Sequence, residues 1–303
     1  MTTIIQKVTI IGASGNFGAP ITAALIKAGF NVTILSRAES SATFPNEIPV
    51  IKIPYTFEEL TKAMVGQDAV VCVVGPAGID INVVMVDAAE AAGVKRFILN
   101  DFGWGPDFRG MPEFHDIHVK RRAQWDRAKM KAEANPDFTW TGIATGNPID
   151  WALRKFPLMG FDVKNSSATI YDGGEAYFTG TTLVSIGQSV VGVLRHPKDT
   201  ANRSVKVLSI KTCQNELLKA FQHVTGKDWE VQRSSTKDLE ERGRSKHEAG
   251  EKGWTLELVI AQMFDEGKAR NVVASSREES DSALLGVSAE TAEQVVAKAL
   301  EMA

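Results

Sequence analysis

The feature that most constrains the fold is the loop "GASGNFG", in which Gly12, Gly15 and Gly18 recur at three-residue spacing. The β-branched run "KVTII" precedes this loop, and a segment with helical spacing, residues 19–30, follows it. In strand–turn–helix units that bind dinucleotides, the first glycine permits the tight turn, the second lets backbone N–H groups approach a pyrophosphate, and the third allows close helix packing. The helix N-terminus also favours phosphate charge. The loop predicts a dinucleotide site formed by Gly12, Ser14, Gly15, Asn16, Phe17 and Gly18.

The remainder of the first half alternates short apolar runs with helical patterns. Further apolar runs occupy residues 31–37, 49–53, 68–75, 95–100 and 138–145. Strands that alternate with helices of about 10–15 residues indicate βαβ units and a parallel sheet. The sequence therefore predicts an α/β fold, with a Rossmann doubly wound parallel sheet in a nucleotide-binding domain over residues 1–150.

The alternation ends after Gly146. Residues 147–179 are irregular and rich in glycine, proline and aromatic side chains. Helical patterns then occupy residues 183–194, 212–226, 255–264 and 288–303, and one alternating strand covers residues 204–210. We predict a smaller α/β substrate-binding domain over residues 151–303, some of whose elements return to the Rossmann sheet.

Charge and cysteine content restrict the partners and the compartment. The net charge of −3 provides no overall attraction to nucleic acid or to an anionic membrane. Two cysteines in 303 residues cannot form a disulfide framework, and from the N-terminal residues and the absence of a long apolar stretch we expect neither a signal peptide nor a membrane span. We expect a reduced cytoplasmic protein without nucleic acid, membrane or metal partners, and both a monomer and a homodimer remain open.

The end of the second strand indicates which dinucleotide is preferred. Ser36 and Arg37 occupy the place where NAD-binding enzymes usually carry an acid, and Glu39 follows two residues later. A guanidinium can bind a 2′-phosphate, which a carboxylate would repel. We therefore predict NADP(H) as the cofactor, with Ser36 and Arg37 at its 2′-phosphate, although an exposed loop residue is the alternative for Arg37.

A tyrosine–lysine catalytic pair is excluded, because Tyr55, Tyr171 and Tyr177 have no basic residue three or four positions later. What remains resembles the isoflavone-reductase-like, NmrA-like branch of atypical short-chain dehydrogenases, as found in fungi. The similarity runs in family order from residue 7 to about residue 231 through "VTIIGASGNFGAPI", "VTILSR", "GQDAVVCVVG", "AAGVKRFILNDFGWGPD", "FTWTGIATGNPIDW" and "TCQNELLKAFQHVTGKDWEV".

The resemblance implies further site residues. Members usually carry Pro-Ser-Glu-Phe-Gly after strand five, where this chain has "LNDFG", and they use a lysine early in the next helix as general acid or base. That role is carried over to Lys120. Relatives also use the loops after strands four and six at the cofactor, which implies contacts near the nicotinamide for Gly75, Pro76, Gly146, Asn147 and Pro148. Asn100 and Phe102 of "LNDFG", together with Lys120, are expected to contact the cofactor as well.

The basic segment "FHDIHVKRRAQW" admits three interpretations. His115 and His118 supply only half of a metal site, and no third ligand of this kind lies near them in sequence. A partner-binding basic surface is opposed by the acids that interleave the cations. Helical angles place Lys120 beside an apolar stripe formed by Val119, Ala123, Met130 and Ala134. We expect partial burial of Lys120 to lower its pKa and permit proton transfer, with an exposed ion-pairing role as the alternative and Arg121, His115 and His118 as substitute donors.

Aromatic residues follow strands five and six, at the sheet edge where open α/β proteins bind ligands. We expect the substrate to contact Trp104, Phe108, Phe114, Trp151, Phe156 and Phe161. These side chains suit an aromatic, phenolic or polyketide-like small molecule, although several can equally fill the core between domains. The main hypothesis is an NADPH-dependent reductase of a secondary metabolite. The alternatives are a non-catalytic NADP-binding redox sensor of the NmrA-like type and a cofactor-binding protein without activity.

Overall fold

The fold is described from a computed structural model that covers residues 4–106, 110–265 and 272–301. Its strands are β1 (Lys7–Ile11), β2 (Asn31–Arg37), β3 (Val50–Ile53), β4 (Ala69–Cys72), β5 (Arg96–Ile98), β6 (Thr139–Ala144), β7 (Phe161–Asp162), β8 (Ser167–Tyr171), β9 (Phe178–Gly180), β10 (Arg203–Lys206), β11 (Ile210–Thr212) and β12 (Glu230–Ser234). Its α-helices are α1 (Gly18–Lys27), α2 (Phe57–Met64), α3 (Asn82–Ala91), α4 (His115–Ala134), α5 (Ile149–Ala152), α6 (Leu183–Arg195), α7 (Gln214–Thr225), α8 (Thr236–Glu248), α9 (Trp254–Phe264) and α10 (Ala292–Glu301).

A seven-stranded sheet organises the first part of the chain. Its order is β10-β6-β5-β4-β1-β2-β3, and every neighbouring pair is parallel. This arrangement confirms the predicted Rossmann doubly wound sheet. The strand order reverses between β1 and β4, so the loops that leave these two strands flank the crevice where such sheets bind ligands.

Helices cover both faces of this sheet. One apolar cluster joins β1 and β2 to α1 and α6, and another joins β4 and β5 to α2, α3 and α4. A parallel sheet buried on both faces needs continuous apolar runs, as in the wholly buried "AVVC" of β4. Although α6 and β10 follow residue 150, α6 packs on α1 and β10 pairs with β6, so both belong to this layer.

The smaller second layer contains two further sheets, β9–β11 and β7–β8–β12, with α7 to α10 around them. The single strand predicted over residues 204–210 is wrong, because this segment contributes to two sheets. Val207 N still donates to Ala144 O at the end of β6, whereas Ser209 N donates to Gly180 O of β9. The chain therefore passes from the main sheet to the smaller one within three residues.

The prediction that an apolar stripe of α4 faces the interior is also wrong. Val119 and Met130 are exposed, and the buried side chains of this helix are those of Gln124, Trp125 and Ala128. The Trp125 ring lies against Gly142 of β6, where an added Cβ would come within 1.9 Å of it. Burial of the largest side chain on the helix outweighs that of two mid-sized ones, so the helix is rotated away from the predicted stripe.

Arg96 of β5 links its strand to β6 and to the connection that leads into the edge strand β10. Its buried guanidinium donates to the hydroxyl oxygens of Thr139, Thr141 and Thr200, each at 2.9 Å, and to the carbonyl of Pro197. Burial lowers its pKa to about 10. Within the described ranges no carboxylate lies within ion-pair distance of Arg96, so neutral acceptors alone join β5, β6 and the connection between α6 and β10.

Replacement of Arg96 by lysine is expected to lower the free energy of unfolding by about 2–4 kcal/mol, because a buried ammonium cannot reach all these acceptors and leaves polar groups unpaired. Urea denaturation followed by circular dichroism measures the effect. Lys95→Arg changes the type of cation at the adjacent, exposed position and is the matched control. Equal unfolding midpoints for the two variants would show that the guanidinium network contributes nothing.

Candidate active site

A cleft of about 270 Å³ opens at the carboxyl ends of β1 and β4. Its walls are the glycine loop, the end of β2 with the loop that follows it, and residues 73–75 after β4. Ser14, Gly15, Ser36, Arg37 and Gly75, all predicted to contact the cofactor, lie together in this lining. The cleft coincides with the crevice defined by the strand order.

The glycine loop has the shape required to hold a pyrophosphate. Gly12 has φ +94°, and a Cβ at this position would lie 2.4 Å from the carbonyl oxygen of Val73. A Cβ on Gly18 would lie 2.0 Å from the carbonyl oxygen of Gly12. Only glycine fits at either position, and the N-terminal turn of α1 follows directly, so the backbone fits a dinucleotide phosphate. Ser14 and Asn16 are exposed beside the loop.

The end of β2 forms the nucleoside end of the cleft. Ser36 is buried, whereas Arg37 is exposed and its Nε lies 3.5 Å from Oε1 of Glu39. Tyr55, which follows β3, donates its hydroxyl to Leu35 O at 3.0 Å, and burial raises the pKa of that hydroxyl. Tyr55 was missed at the sequence level, where only its failure to head a tyrosine–lysine pair was noticed.

The segment after β5 approaches the glycine loop from the other side. The rings of Phe17 and Phe102 are stacked with centroids 6.2 Å apart. Asn100 N donates to Oε1 of Gln124 at 2.8 Å, and its side-chain amide lies 3.4 Å from Oδ1 of Asn82. The structure thus brings together the glycine loop and the segment after β5, both of which are predicted to contact the cofactor. Pro76, another predicted contact, is the first residue of the 3-10 helix Pro76–Ile81, which follows Gly75.

Lys120 lies at the surface beside that 3-10 helix. Its Nζ is 2.9 Å from Oδ1 of Asp80, and 58% of its side chain is exposed. The expected partial burial of Lys120 is wrong, because the Trp125 contact rotates α4. Lys120 is the first member of an ion-pair row that joins α4 to the 3-10 helix and α3, formed by Lys120–Asp80, Arg127–Asp87 and Lys131–Glu90.

The α4 residue that faces the carboxyl end of β5 is Gln124, which is 1% exposed. Its amide accepts the Asn100 N–H and lies beside the buried thiol of Cys72, whose pKa is raised by burial. Asn82, at the start of α3, completes this group of uncharged polar side chains. Sequence reasoning missed Gln124, because a lone glutamine in a charged helix gives no signal of burial.

Beside Gln124, a smaller cavity is lined by side chains of the basic segment, including Arg121 and His118. The buried carboxylate of Asp101 also lines it, accepting from Trp125 Nε1 at 3.0 Å and from Gly103 N at 3.2 Å. Burial raises the pKa of Asp101. Burial, together with the charges of Arg121 and His115, lowers the pKa of His118 to about 4, so His118 is neutral at pH 7 and is a poor substitute proton donor.

The loop after β6 turns toward the second layer. Gly146 adopts φ +62°, and the buried side-chain amide of Asn147 lies 3.0 Å from the Met159 sulfur and 3.1 Å from the Met263 sulfur. Pro148 immediately precedes α5. The Asn147 amide therefore faces apolar side chains of the second layer.

The predicted substrate-contacting aromatic residues fall into two groups. Phe161 is buried against Phe221 and Trp229, with ring centroids 5.0 and 6.1 Å away, and Phe114 is buried against Trp254 at 5.4 Å. These two residues belong to the core cluster of the second layer, which agrees with the alternative interpretation.

The other group is accessible. Trp104 packs against the cluster around Ala144 and also lines the smaller cavity, and Trp151 is partly buried with the Lys155 ammonium 5.7 Å from its ring centroid. Phe156 is half-exposed. Phe108 lies outside the described residues.

Metal and membrane features were searched over residues 4–106, 110–265 and 272–301. No group of three histidine, cysteine, aspartate or glutamate side chains in these ranges has the arrangement of a metal site. None of the helices found there combines the length and apolar character needed to cross a bilayer.

Comparison with known proteins agrees with this geometry. A family model described as NAD(P)H-binding matches residues 12–170. The chain belongs to this NAD(P)H-binding family. It is 64% identical over 296 residues to "Oxidoreductase poxI" of Penicillium oxalicum, covering 98% of this chain and 94% of that one. The expectation that the protein is an oxidoreductase is therefore confirmed.

The isoflavone-reductase-like resemblance is confirmed as well. The chain is 28% identical over 244 residues to an isoflavone reductase homologue of Solanum tuberosum, covering 74% of this chain and 76% of that one. The structure of a leucoanthocyanidin reductase–NADPH complex from Vitis vinifera has a TM-score of 0.79 at 18% identity and covers 97% of this chain and 99% of that one. At that identity the structural likeness concerns the fold.

The low pKa of His118 predicts acid sensitivity. An unfolded histidine binds a proton below about pH 6.5, whereas folded His118 does so only near its lowered pKa of about 4. Between these values the unfolded state binds more protons, so the free energy of unfolding falls as the pH drops through this window. His118→Gln is expected to flatten this part of the dependence, and NMR titration is expected to place the ring midpoint near pH 4. The exposed His223→Gln is the control, and a midpoint above pH 6 for His118 would contradict the prediction.

Proposed function

We propose that the protein is an NADPH-dependent reductase that transfers hydride to an aromatic, phenolic or polyketide-like secondary metabolite. The observation that supports this proposal most strongly is the cleft, which runs along a glycine loop where Gly12 and Gly18 leave no room for a side chain, and which ends at Arg37. That basic end suits a 2′-phosphate, since no acid follows Ser36 directly. The name of the Vitis vinifera relative, a reductase in complex with NADPH, supports the same assignment.

We propose that the substrate binds near the segments that follow β5 and β6, which carry Phe102, Trp104 and Trp151. NADPH, when bound, supplies the hydride. Two of these side chains are partly exposed at the carboxyl edge of the sheet, and flat apolar rings bind well against indole faces. The two free, buried cysteines suit a cytoplasmic location, where thiols stay reduced. These features support a small aromatic molecule as the partner.

Lys120 is proposed as the general acid that protonates the substrate oxygen as hydride is transferred to the substrate. Its ammonium lies beside the helix that continues from Gly75. The ion pair with Asp80 is exposed on both sides, and such pairs contribute only about 0–1 kcal/mol, so Lys120 can exchange this partner for a substrate oxygen at small cost. The carboxylate of Asp80 also holds the ammonium beside this helix.

A redox sensor that binds NADP(H) without turnover is the second candidate. The observation that favours it is the same ion-pair row, because a lysine that only joins α4 to the 3-10 helix leaves the cleft without a proton donor. The two functions differ in whether any substrate supports NADPH consumption. The sensor predicts cofactor binding and a protein partner, and no consumption.

The cofactor preference is the first test. NADPH is expected to bind the unmodified protein at least about tenfold more tightly than NADH, and Arg37→Met is expected to remove most of this difference, since a tenfold change corresponds to about 1.4 kcal/mol. Isothermal titration calorimetry measures both constants. Equal affinities for the two cofactors in the unmodified protein would refute the assignment.

The donor is tested by following NADPH oxidation with a panel of aromatic ketones, enones and phenolic ethers. Lys120→Ala is expected to lower kcat by about 10²–10⁴, the usual contribution of a general acid, and to leave cofactor affinity nearly unchanged. Lys131→Ala removes a cation from the same ion-pair row away from the cleft and is the matched control. Unchanged kcat in Lys120→Ala would assign proton transfer elsewhere, and no turnover of any compound by the unmodified protein would favour the sensor.

A further inference from the structure

Three charged side chains surround the nucleoside end of the cleft, and we call Arg37, Glu39 and Lys52 the rim charges. Arg37 and Glu39 pair at 3.5 Å with side-chain exposures of 62% and 68%. Lys52, on β3, donates its ammonium to the carbonyl oxygen of Ser40 at 2.8 Å. Arg37 and Ser40 both line the cleft, so both cations lie at its edge.

The sheet register explains why Lys52 reaches this position. Ser36 of β2 is paired with Lys52 of β3, so the two side chains leave the same face of the sheet. Ser36 lines the cleft, and β3 is the edge strand, which leaves the lysine stem free to curve over the end of β2. Across the three described ranges, no carboxylate lies within ion-pair distance of Lys52. To bind a phosphate, the ammonium of Lys52 would therefore give up a hydrogen bond to a neutral carbonyl and no ion pair.

We propose that Lys52 is a second cation for the 2′-phosphate of the cofactor and that Glu39 competes with this phosphate for Arg37. The rim charges then set the ratio of NADPH to NADH affinity. This inference rests on the proposed function, because it specifies how the cofactor of that function is selected.

The size of the competing interactions supports this exchange. An exposed ion pair such as Arg37–Glu39 contributes about 0–1 kcal/mol, whereas hydrogen bonds from cations to a phosphate are roughly twice as strong as neutral ones. A phosphate with nearly two negative charges therefore displaces Glu39 from Arg37 and attracts Lys52 from its carbonyl acceptor. Without the phosphate, Glu39 stays at the rim, where its carboxylate can accept from a ribose 2′-hydroxyl, as acids near this position do in NAD-binding proteins.

The test for Lys52 measures binding of 2′,5′-ADP and 5′-AMP by calorimetry, two probes that differ in the 2′-phosphate and lack the nicotinamide. Lys52→Met is expected to weaken 2′,5′-ADP about three- to tenfold, to leave 5′-AMP unchanged and to reduce the salt dependence of 2′,5′-ADP binding. Lys27→Met, in the last turn of α1 and so at the opposite end of that helix from the glycine loop, removes an exposed cation as the control. Equal effects of the two variants on 2′,5′-ADP would overturn the role of Lys52.

The test for Glu39 predicts opposite changes for the two cofactors. Glu39→Gln is expected to tighten NADPH about threefold or more and to weaken NADH, and its effect on NADPH is expected to vanish when Arg37 is methionine, because the competition is for Arg37. Glu47→Gln removes an exposed carboxylate from the same loop as the control. A Glu39→Gln variant that shifts both cofactors alike would overturn the competition.

The experiments distinguish a failure of the rim-charge proposal from a failure of the proposed function. If the unmodified protein does not distinguish NADPH from NADH, the proposed cofactor choice fails. If it prefers NADPH while Lys52→Met and Glu39→Gln leave that preference unchanged, only the role of the rim charges fails.

Discussion

The contact between the Trp125 ring and Gly142 determines how α4 presents its charged residues. An added Cβ at Gly142 would come within 1.9 Å of the ring, so the helix lies as close to β6 as a missing side chain allows. The indole N–H is also held, because it donates to the buried carboxylate of Asp101 at the end of β5. With the ring fixed at two points, Gln124 is directed to the strand ends and Lys120 to the surface.

This rotation produces a neutral polar interior beside the cleft and an ionic exterior. Gln124, Asn100 and Asn82 hydrogen-bond around the end of β5, where an unpaired charge would carry a large desolvation cost. Arg127 and Lys131 of α4 instead pair with acids of α3 at the surface, where pairing costs little and each pair contributes little. The division follows from the dielectric difference between the two environments, and it places Lys120 of the basic segment outside the buried region.

The sequence predicts those features of the fold and the site that depend on residues close together in the chain, and it does not predict those that depend on contacts between distant segments. The apolar runs and glycine spacing are local, and they sufficed for the parallel sheet, the glycine loop and the position of Arg37 at the end of β2. The rotation of α4 depends on a contact between Trp125 and a strand residue 17 positions later, which no helical-angle argument contains. The division of residues 204–210 between two sheets likewise depends on partners in β6 and β9. Tyr55 and Lys52 reach the cleft only because β3 lies beside β2, an order that the apolar pattern alone does not reveal.

The rim charges and the segment after β5 differ in how many packed contacts they make with the rest of the fold. The rim charges are exposed side chains at the end of β2, in the loop that follows it and on the edge strand β3, so their replacement disturbs few packed groups. In the segment after β5, by contrast, Phe102 stacks on Phe17 at the core cluster, and the carboxylate of the adjacent Asp101 accepts the indole N–H of Trp125. A change there alters core packing, which is costly because interiors are close-packed. Changes to the rim charges therefore cost little stability, whereas the geometry around the segment after β5 is constrained by the same contacts that orient α4.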